Sequence, residues 1–185
     1  MSQEEQIVEE CRKGNRNAQK ILYEMYAGWL LGVCLRYVGQ RDVAEDLLQD
    51  GFVQILTHIH QFQWQGEGSL KSWMLRVQRN VILQHLRNKA KLNSILSIDD
   101  THEQLEDIIT EPEDIGGIPS RVLMEMIGEL PLGYRTVFNL YVIDGLSHRK
   151  IAEMLGIKER SSASQLLHAR RLLAAKINIW NKKNL

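Results

Sequence analysis

Between Glu4 and Leu92 the apolar residues recur every three or four positions, and β-branched residues never alternate with polar ones over a strand's length. This half of the chain therefore reads as helices throughout, over about Glu4 to Cys11, Asn17 to Val38, Arg41 to His60 and Leu70 to Lys91. In the second helix Ala18, Ile21, Leu22, Met25, Trp29 and Val33 form the expected inward stripe, and Gly39 ends it. In the third, Asp42 is placed to cap, and Glu45 and Asp46 complement the positive end of the helix dipole. The apolar positions Val43, Ala44, Leu47, Leu48, Phe52, Ile55, Leu56 and Ile59 make one face of that helix, leaving Glu45, Asp46, Gln49 and Asp50 outward. A loop from Gln61 to Gly68 holds Phe62 and Trp64, after which Ser69 offers an amino-terminal cap to the fourth helix.

Periodicity weakens after residue 93, in an acidic stretch that also carries Pro112, Gly116, Gly117 and Pro119, the composition of a mobile linker. It resumes with helices expected over about Arg121 to Glu129, Pro131 to Asp144, Ser147 to Leu155 and Glu159 to Trp180, broken at Gly145 and Gly156. The fold class is thus all-α: two small helical domains, 1–93 and 120–185, joined by an acidic linker over 94–119. A chain of 185 residues accommodates that division, and no repeat of 20 to 50 residues is evident.

Composition agrees with a folded protein, at 44% hydrophobic and 25% charged residues. The longest apolar run, around Trp29 to Leu35, is too short to span a bilayer, and the stretch from Met1 to Glu10 is acidic, so a cytoplasmic protein without a signal peptide is expected. Cys11 and Cys34 lack any CxxC or Cys/His spacing and fall in helical patterns, which points to buried thiols.

A formal net charge of zero argues at first against nucleic-acid binding, but it averages two opposite regions. From Ser94 to Ile118 every charged side chain is acidic. Beyond Ser147 the cations Arg149, Lys150, Lys158, Arg160, Arg170, Arg171, Lys176, Lys182 and Lys183 face only Glu153 and Glu159.

That basic region contains the spacing of a helix-turn-helix. Ser147 can cap the first helix, Ala152 is small where two helices must cross closely, and Gly156 can take the left-handed conformation of a tight turn, with Ile151, Leu155 and Ile157 filling the shared core. The second helix would present Arg160, Ser161, Ser162, Ser164 and Gln165 to base edges in the major groove, with His168 and Arg171 near phosphates one turn later. Leu166, Ala169, Leu173, Ile177 and Trp180 recur on its opposite face and should pack on Val137, Phe138 and Tyr141.

The stretch from Gly128 to Ile157, GELPLGYRTVFNLYVIDGLSHRKIAEMLGI, resembles region 4 of RNA polymerase sigma factors. Arg36 to Phe52, RYVGQRDVAEDLLQDGF, resembles the region 2 helix that grips the coiled coil of the polymerase β′ subunit. Leu70 to Lys89, LKSWMLRVQRNVILQHLRNK, resembles the family's helix for recognising and melting the minus-10 element. No separate region 1 or region 3 domain fits between them, the layout of the extracytoplasmic-function group of the sigma-70 family.

This resemblance implies a factor that lends promoter specificity and strand opening to core RNA polymerase. Its expected partners are the β′ clamp coiled coil and β flap of the polymerase, promoter DNA and an anti-sigma factor. No small-molecule substrate, cofactor, metal, catalytic residue or direct membrane insertion is expected. Core binding falls to Asp42, Glu45, Asp46, Gln49 and Asp50, and minus-35 recognition to the helix-turn-helix residues named above. The pocket that holds an unstacked base falls on the loop from Phe62 to Ser69, where Trp64 is either the stacking ring or part of the core. Other minus-10 contacts fall to Arg76, Arg79, Asn80, Arg87, Lys89 and Lys91, while Trp73, in register with Val77 and Val81, is expected to pack. Gln84 departs from the acidic residue many relatives carry there, and Ala163 and Gln165 flank Ser164 where the family often has basic residues.

Two other functions compete with this one. A stand-alone regulator binding an operator without polymerase would account for the helix-turn-helix but not the region 2 resemblance. An enzyme would need a phosphate-cradling loop, paired metal ligands or a nucleophile with its base, and none has motif support. His58 and His60 are two apart, which points them to different helix faces, a poor arrangement for chelation.

Overall fold

The computed structural model describes residues 2–88 and 117–184. The expected acidic linker lies outside these residues over 94–116, as do Lys89 and Lys91. Among the described residues there are eight α-helices and no strands. The chain divides into two compact units, Met1–His85 and Leu86–Leu185.

In the first unit α1 spans Gln3–Arg12. Its start is fixed by a reciprocal capping box, with the Ser2 hydroxyl accepting from the Glu5 amide at 3.2 Å and the Ser2 amide donating to the Glu5 carboxylate at 3.2 Å. Helix α2 spans Arg16–Val38, capped by Asn15, whose side-chain oxygen accepts from the amides of Asn17 and Ala18. It stops at Gly39, whose φ of 72° lets its amide turn back to the Leu35 carbonyl.

The buried stripe of α2 is Ala18, Leu22, Tyr26, Leu30, Val33, Cys34 and Tyr37. It is rotated from the expected one: Met25 is 45% exposed, and Ile21 and Trp29 are half-buried on the flank. Tyr26 can occupy the core position because its hydroxyl emerges to donate to Glu4 on α1. Burial and that carboxylate together raise the phenol's pKa.

Helix α3 spans Arg41–His58 and continues as a single 3₁₀ turn, Ile59–Gln61. Asp42 is not its cap. Gln40 holds that position without a side-chain bond, and Asp42 sits one residue inside the first turn, where its charge still meets the helix dipole. The predicted apolar face is inward, with Ala44, Leu47, Leu48, Phe52, Ile55 and Ile59 all buried.

Helix α4 spans Ser69–Asn88. Ser69, expected as its cap, is its first residue and serves the loop instead: its hydroxyl donates to the Gly66 carbonyl at 2.6 Å and accepts from the Gln65 amide at 3.3 Å. From α4 the fully buried Gln78 reaches across the core. Its amide nitrogen donates to the Leu47 carbonyl at 2.8 Å and lies 3.2 Å from Cys34 Sγ. Gly51 makes room for it, since a Cβ there would fall 1.8 Å from Gln78 Oε1. Both cysteines are free and buried as expected, and burial pushes the Cys34 thiol up to about 12.

The second unit holds α5 (Ser120–Gly128), α6 (Leu132–Phe138), α7 (His148–Leu155) and α8 (Glu159–Asn184). Met126, Ile127 and Leu130 pack with Ala169, Leu173 and Ile177 of α8, and Tyr134, Phe138 and Trp180 close the cluster. The single helix expected from Pro131 to Asp144 changes character at Asn139. Pro131 precedes α6, and Asn139–Ile143 forms a wider π turn in which the Asp144 amide bonds to the Asn139 carbonyl five residues back at 2.9 Å. The buried Asn139 side chain donates to the Arg135 carbonyl at 3.0 Å, offering the backbone a competing partner at the point where the ladder shifts. Among the described residues no helix is long and apolar enough to cross a membrane.

Candidate functional site

Three surfaces hold the residues singled out from the sequence. The first is the outer side of α3. Asp42, Asp46, Gln49 and Asp50 are exposed there, and Glu45 is half-buried and paired with Arg41 at 2.8 Å. A groove of 310 Å³ runs beside them, walled by Tyr23, Ala27, Gly28 and Leu31 of α2 and by Glu45, Leu48 and Gln49 of α3. It exists because Ala27 and Gly28 leave a notch in the side of α2, next to a Tyr23 that is 41% exposed. Sequence reasoning missed this groove; the adjoining small residues Ala27 and Gly28 are the signal that would have suggested it.

The second surface is the loop between the 3₁₀ turn and α4. Phe62 is buried and meets Trp64 edge-on, with ring centroids 6.3 Å apart, and Trp73 at 5.5 Å. Trp64 is half-buried, so one part of its ring belongs to this cluster and the rest is accessible. Trp73 packs as expected. On α4, Arg76, Asn80 and Arg87 are exposed and Arg79 is half-buried. Arg76 and Asn80 share a face, being four residues apart. Gln84 is exposed as well.

His58 and His60 do not diverge as expected. The change from α to 3₁₀ winding at Ile59 brings their rings into a stack with centroids 6.5 Å apart. His58 Nδ1 is engaged by the Gln54 carbonyl at 2.9 Å, and the described residues contain no cluster of three metal-ligating side chains.

The third surface is the helix-turn-helix of α7 and α8. Ser147 caps α7 by accepting from the Lys150 amide at 3.3 Å, and Gly156, at φ 69°, donates its amide to the Ala152 carbonyl. Ile151, Ala152 and Leu155 are buried toward α8, as the motif predicts. Arg149 and Lys150 both pair with Glu153, at 3.9 and 3.0 Å, so part of the basic excess on α7 is locally balanced.

Two of the expected base readers are corrected. Ser162 and Gln165 are fully buried, three residues apart on the side of α8 that also carries Leu166 and Ala169. The Ser162 hydroxyl lies 3.0 Å from His148 Nδ1, and the His148 ring stacks on Tyr141 at 4.3 Å, so this serine fastens α8 to α7. Exposed on the opposite side are Arg160, Ala163, Leu167 and Arg170, with Ser161, Ser164 and Arg171 half-buried. Leu167, 40% exposed and absent from the sequence-based set, belongs to this outer face. His168 is half-buried and stacks on Tyr134 with centroids 5.3 Å apart.

Comparison with known proteins matches two segments of the chain, in order. The family model for Sigma-70 region 2 matches residues 22–92, and that for Sigma-70, region 4 matches residues 120–173. The chain is 27% identical over 179 residues to the ECF RNA polymerase sigma-E factor of Haemophilus influenzae, covering 92% of this chain and 93% of the relative. It is 29% identical over 157 residues to the ECF RNA polymerase sigma factor SigM of Bacillus subtilis, covering 85% and 93%. Among solved structures it resembles the sigma factor RpoE in complex with the anti-sigma factor NepR from Bartonella quintana, with a TM-score of 0.51 at 20% identity over 86% of this chain and 97% of that one.

Proposed function

Since the chain belongs to the sigma-70 family, in its extracytoplasmic-function group, we infer that it binds core RNA polymerase and directs promoter-specific initiation of transcription. The observation that carries this reading is the presence of both regions, in order, in one chain: a stand-alone regulator would need only the second. The protein acts by binding, as sigma factors do, and leaves the chemistry of RNA synthesis to the polymerase.

Within that role the acidic outer strip of α3, Asp42, Glu45, Asp46, Gln49 and Asp50, with the adjacent groove, is the surface for the basic β′ clamp coiled coil. Its support is a run of acidic and amide side chains on one helix face beside a groove of mixed lining, with charge for steering and Tyr23, Leu31 and Leu48 for contact. The loop around Trp64 and the α4 residues Arg76, Arg79, Asn80 and Arg87 hold the melted minus-10 strand, with Lys89 and Lys91 continuing the basic run in sequence. The Trp64 ring is the stacking platform for an unstacked base.

The minus-35 element is read by Arg160, Ser161 and Ser164, with Arg170 and Arg171 toward phosphates and His168 at the edge. Leu167 is placed for apolar contact with a thymine methyl. The β flap is the further contact on core. Residues 1–93 and 120–185 act as the two functional domains across the acidic segment 94–119. The protein works in the cytoplasm, where the polymerase is, and an anti-sigma factor controls it by covering one of these surfaces.

The test is run-off transcription from a promoter library with purified core polymerase. The wild type should initiate at a defined subset of promoters. Asp46→Arg should fail at core binding, and Arg171→Ala should bind core but lose promoter occupancy. A protein that footprints its site without polymerase, and never supports initiation, would overturn the reading in favour of a stand-alone regulator.

A further inference from the structure

The first helix lies outside the segment matched by the Sigma-70 region 2 family model, which begins at residue 22, yet it is tied by a charged side chain to the loop that carries Trp64. Arg12, in the last turn of α1, donates from Nε to the Ile59 carbonyl at 3.3 Å and from Nη2 to the Phe62 carbonyl, while Nη1 pairs with Glu9 one turn earlier. These two carbonyls mark the two ends of the 3₁₀ turn, and the Phe62 amide closes that turn by donating to the same Ile59 oxygen at 3.2 Å.

A guanidinium suits this place. Carbonyls at a helix end carry partial negative charge and have lone pairs to spare, the Ile59 oxygen already accepting once from within the turn, and a planar fork of donors can hold two such carbonyls at a fixed separation. The direction in which the chain leaves Phe62 therefore depends on Arg12. From that point Phe62 sets the edge-on contact that orients Trp64, and the far end of the loop is closed by the Ser69 hydroxyl on Gly66. The near end is held from α1 and the far end from α4. Helix α1 is itself anchored, through buried Ile7, Val8 and Cys11 and the bond from Tyr26 to Glu4.

We propose that Arg12 is a positioning residue for the base-capture loop, through which α1 sets the orientation of Trp64 and thereby selectivity at the minus-10 element. This rests on the function proposed above for that loop. Arg12 itself touches no DNA. It acts only through the backbone of residues 59–62, and the ion pair with Glu9 is incidental to it.

The experiment uses the full chain as wild type, Arg12→Ala, Arg12→Lys and Glu9→Ala, in two readouts. In the free protein, amide hydrogen exchange over residues 59–69 should quicken by about tenfold in Arg12→Ala, the scale of one lost charge-assisted hydrogen bond, with α2 and α8 unchanged. In polymerase-dependent initiation from a library randomised at each promoter position, base preference at one or two adjacent minus-10 positions should fall about fivefold. Minus-35 preference and core affinity should be as in the wild type. Arg12→Lys, with one compact ammonium in place of the fork, should recover part of the preference, and Glu9→Ala should retain all of it.

Unchanged loop exchange and unchanged selectivity in Arg12→Ala would overturn the proposal while leaving the sigma reading intact. So would faster exchange throughout the first unit with equal loss at every promoter position, since that is a plain folding role. Absence of polymerase-dependent initiation by the wild type would instead overturn the sigma reading, and the positioning role with it.

Discussion

Helix α3 of the first unit and helix α8 of the second each carry a proposed contact surface on an outward face, and the two were not equally easy to read. On α3 the expected outward residues are carboxylates and a glutamine, all exposed or half-buried. On α8 two of the expected outward residues, Ser162 and Gln165, are fully buried. The difference is energetic. Burying an unpaired carboxylate costs so much that Asp46 and Asp50 fix the rotation of α3, whereas a serine or glutamine can be buried for the cost of finding, or missing, a hydrogen bond. Charge declares a helix face; neutral polarity leaves it open.

The largest effect expected from this contrast is on α3. Asp46→Arg should weaken binding to core polymerase by about a hundredfold or more, because a reversed charge faces a basic partner. Fluorescence anisotropy with labelled protein and purified core reads this directly, and it should weaken further below physiological salt, where like charges are less screened. Unaltered affinity would reduce the strip to a solvated helix face, and the comparison with α8 would lose its functional half.

Beneath the strip, the packing of α3 makes a second point. Gly51 follows Asp50 in sequence but faces inward, where the Gln78 side chain occupies the space a Cβ would need. Gly51→Ala should destabilise the first unit by about 2 kcal/mol, as overpacking does, measured by urea unfolding with tryptophan fluorescence. Shortening Gln78 to alanine in the same chain should return part of that loss, so the two changes together should cost less than their sum. Additive losses would show that the glycine is needed for another reason.

The architecture was legible because periodicity survives averaging over a whole helix. All the expected helices in the described residues exist, with most boundaries shifted by one to three residues. Phase was less secure. Met25 looked inward by its helical spacing but lies outside, because α2 turns its Tyr26 and Leu30 flank to the core and lets the tyrosine hydroxyl reach Glu4. The π turn at Asn139 was hidden because its five residues are apolar or amide and fit an α-helical pattern equally well. The tie from Arg12 to Ile59 and Phe62 was invisible, since it joins positions 47 and 50 residues apart and ends on backbone carbonyls, which carry no sequence signature.

On α8 the exposed side can be tested by a contact it should make. Arg160→Ala should cost about 1.5 kcal/mol of discrimination at one minus-35 base pair, the typical worth of a good base contact, with no change in thermal stability. Binding of holoenzyme to single-base promoter variants measures it. A uniform loss over all variants would instead assign Arg160 to a phosphate.

The sharpest separation between the two helices comes from the smallest change. Gln165 is fully enclosed, and neither its amide oxygen nor its nitrogen meets a hydrogen-bond partner among the described residues. Leucine is close in volume and needs no partner, so Gln165→Leu should stabilise the second unit by about 1 kcal/mol in denaturant unfolding. Because the side chain is buried rather than open to solvent, minus-35 preference should be unaltered. A changed base preference with the fold intact would mean that Gln165 reaches the major groove after all, and that the rotation assigned to α8 is wrong. Stabilisation with unchanged preference would make this glutamine the opposite of Asp46: a polar residue whose position on its helix could be found only from the packing.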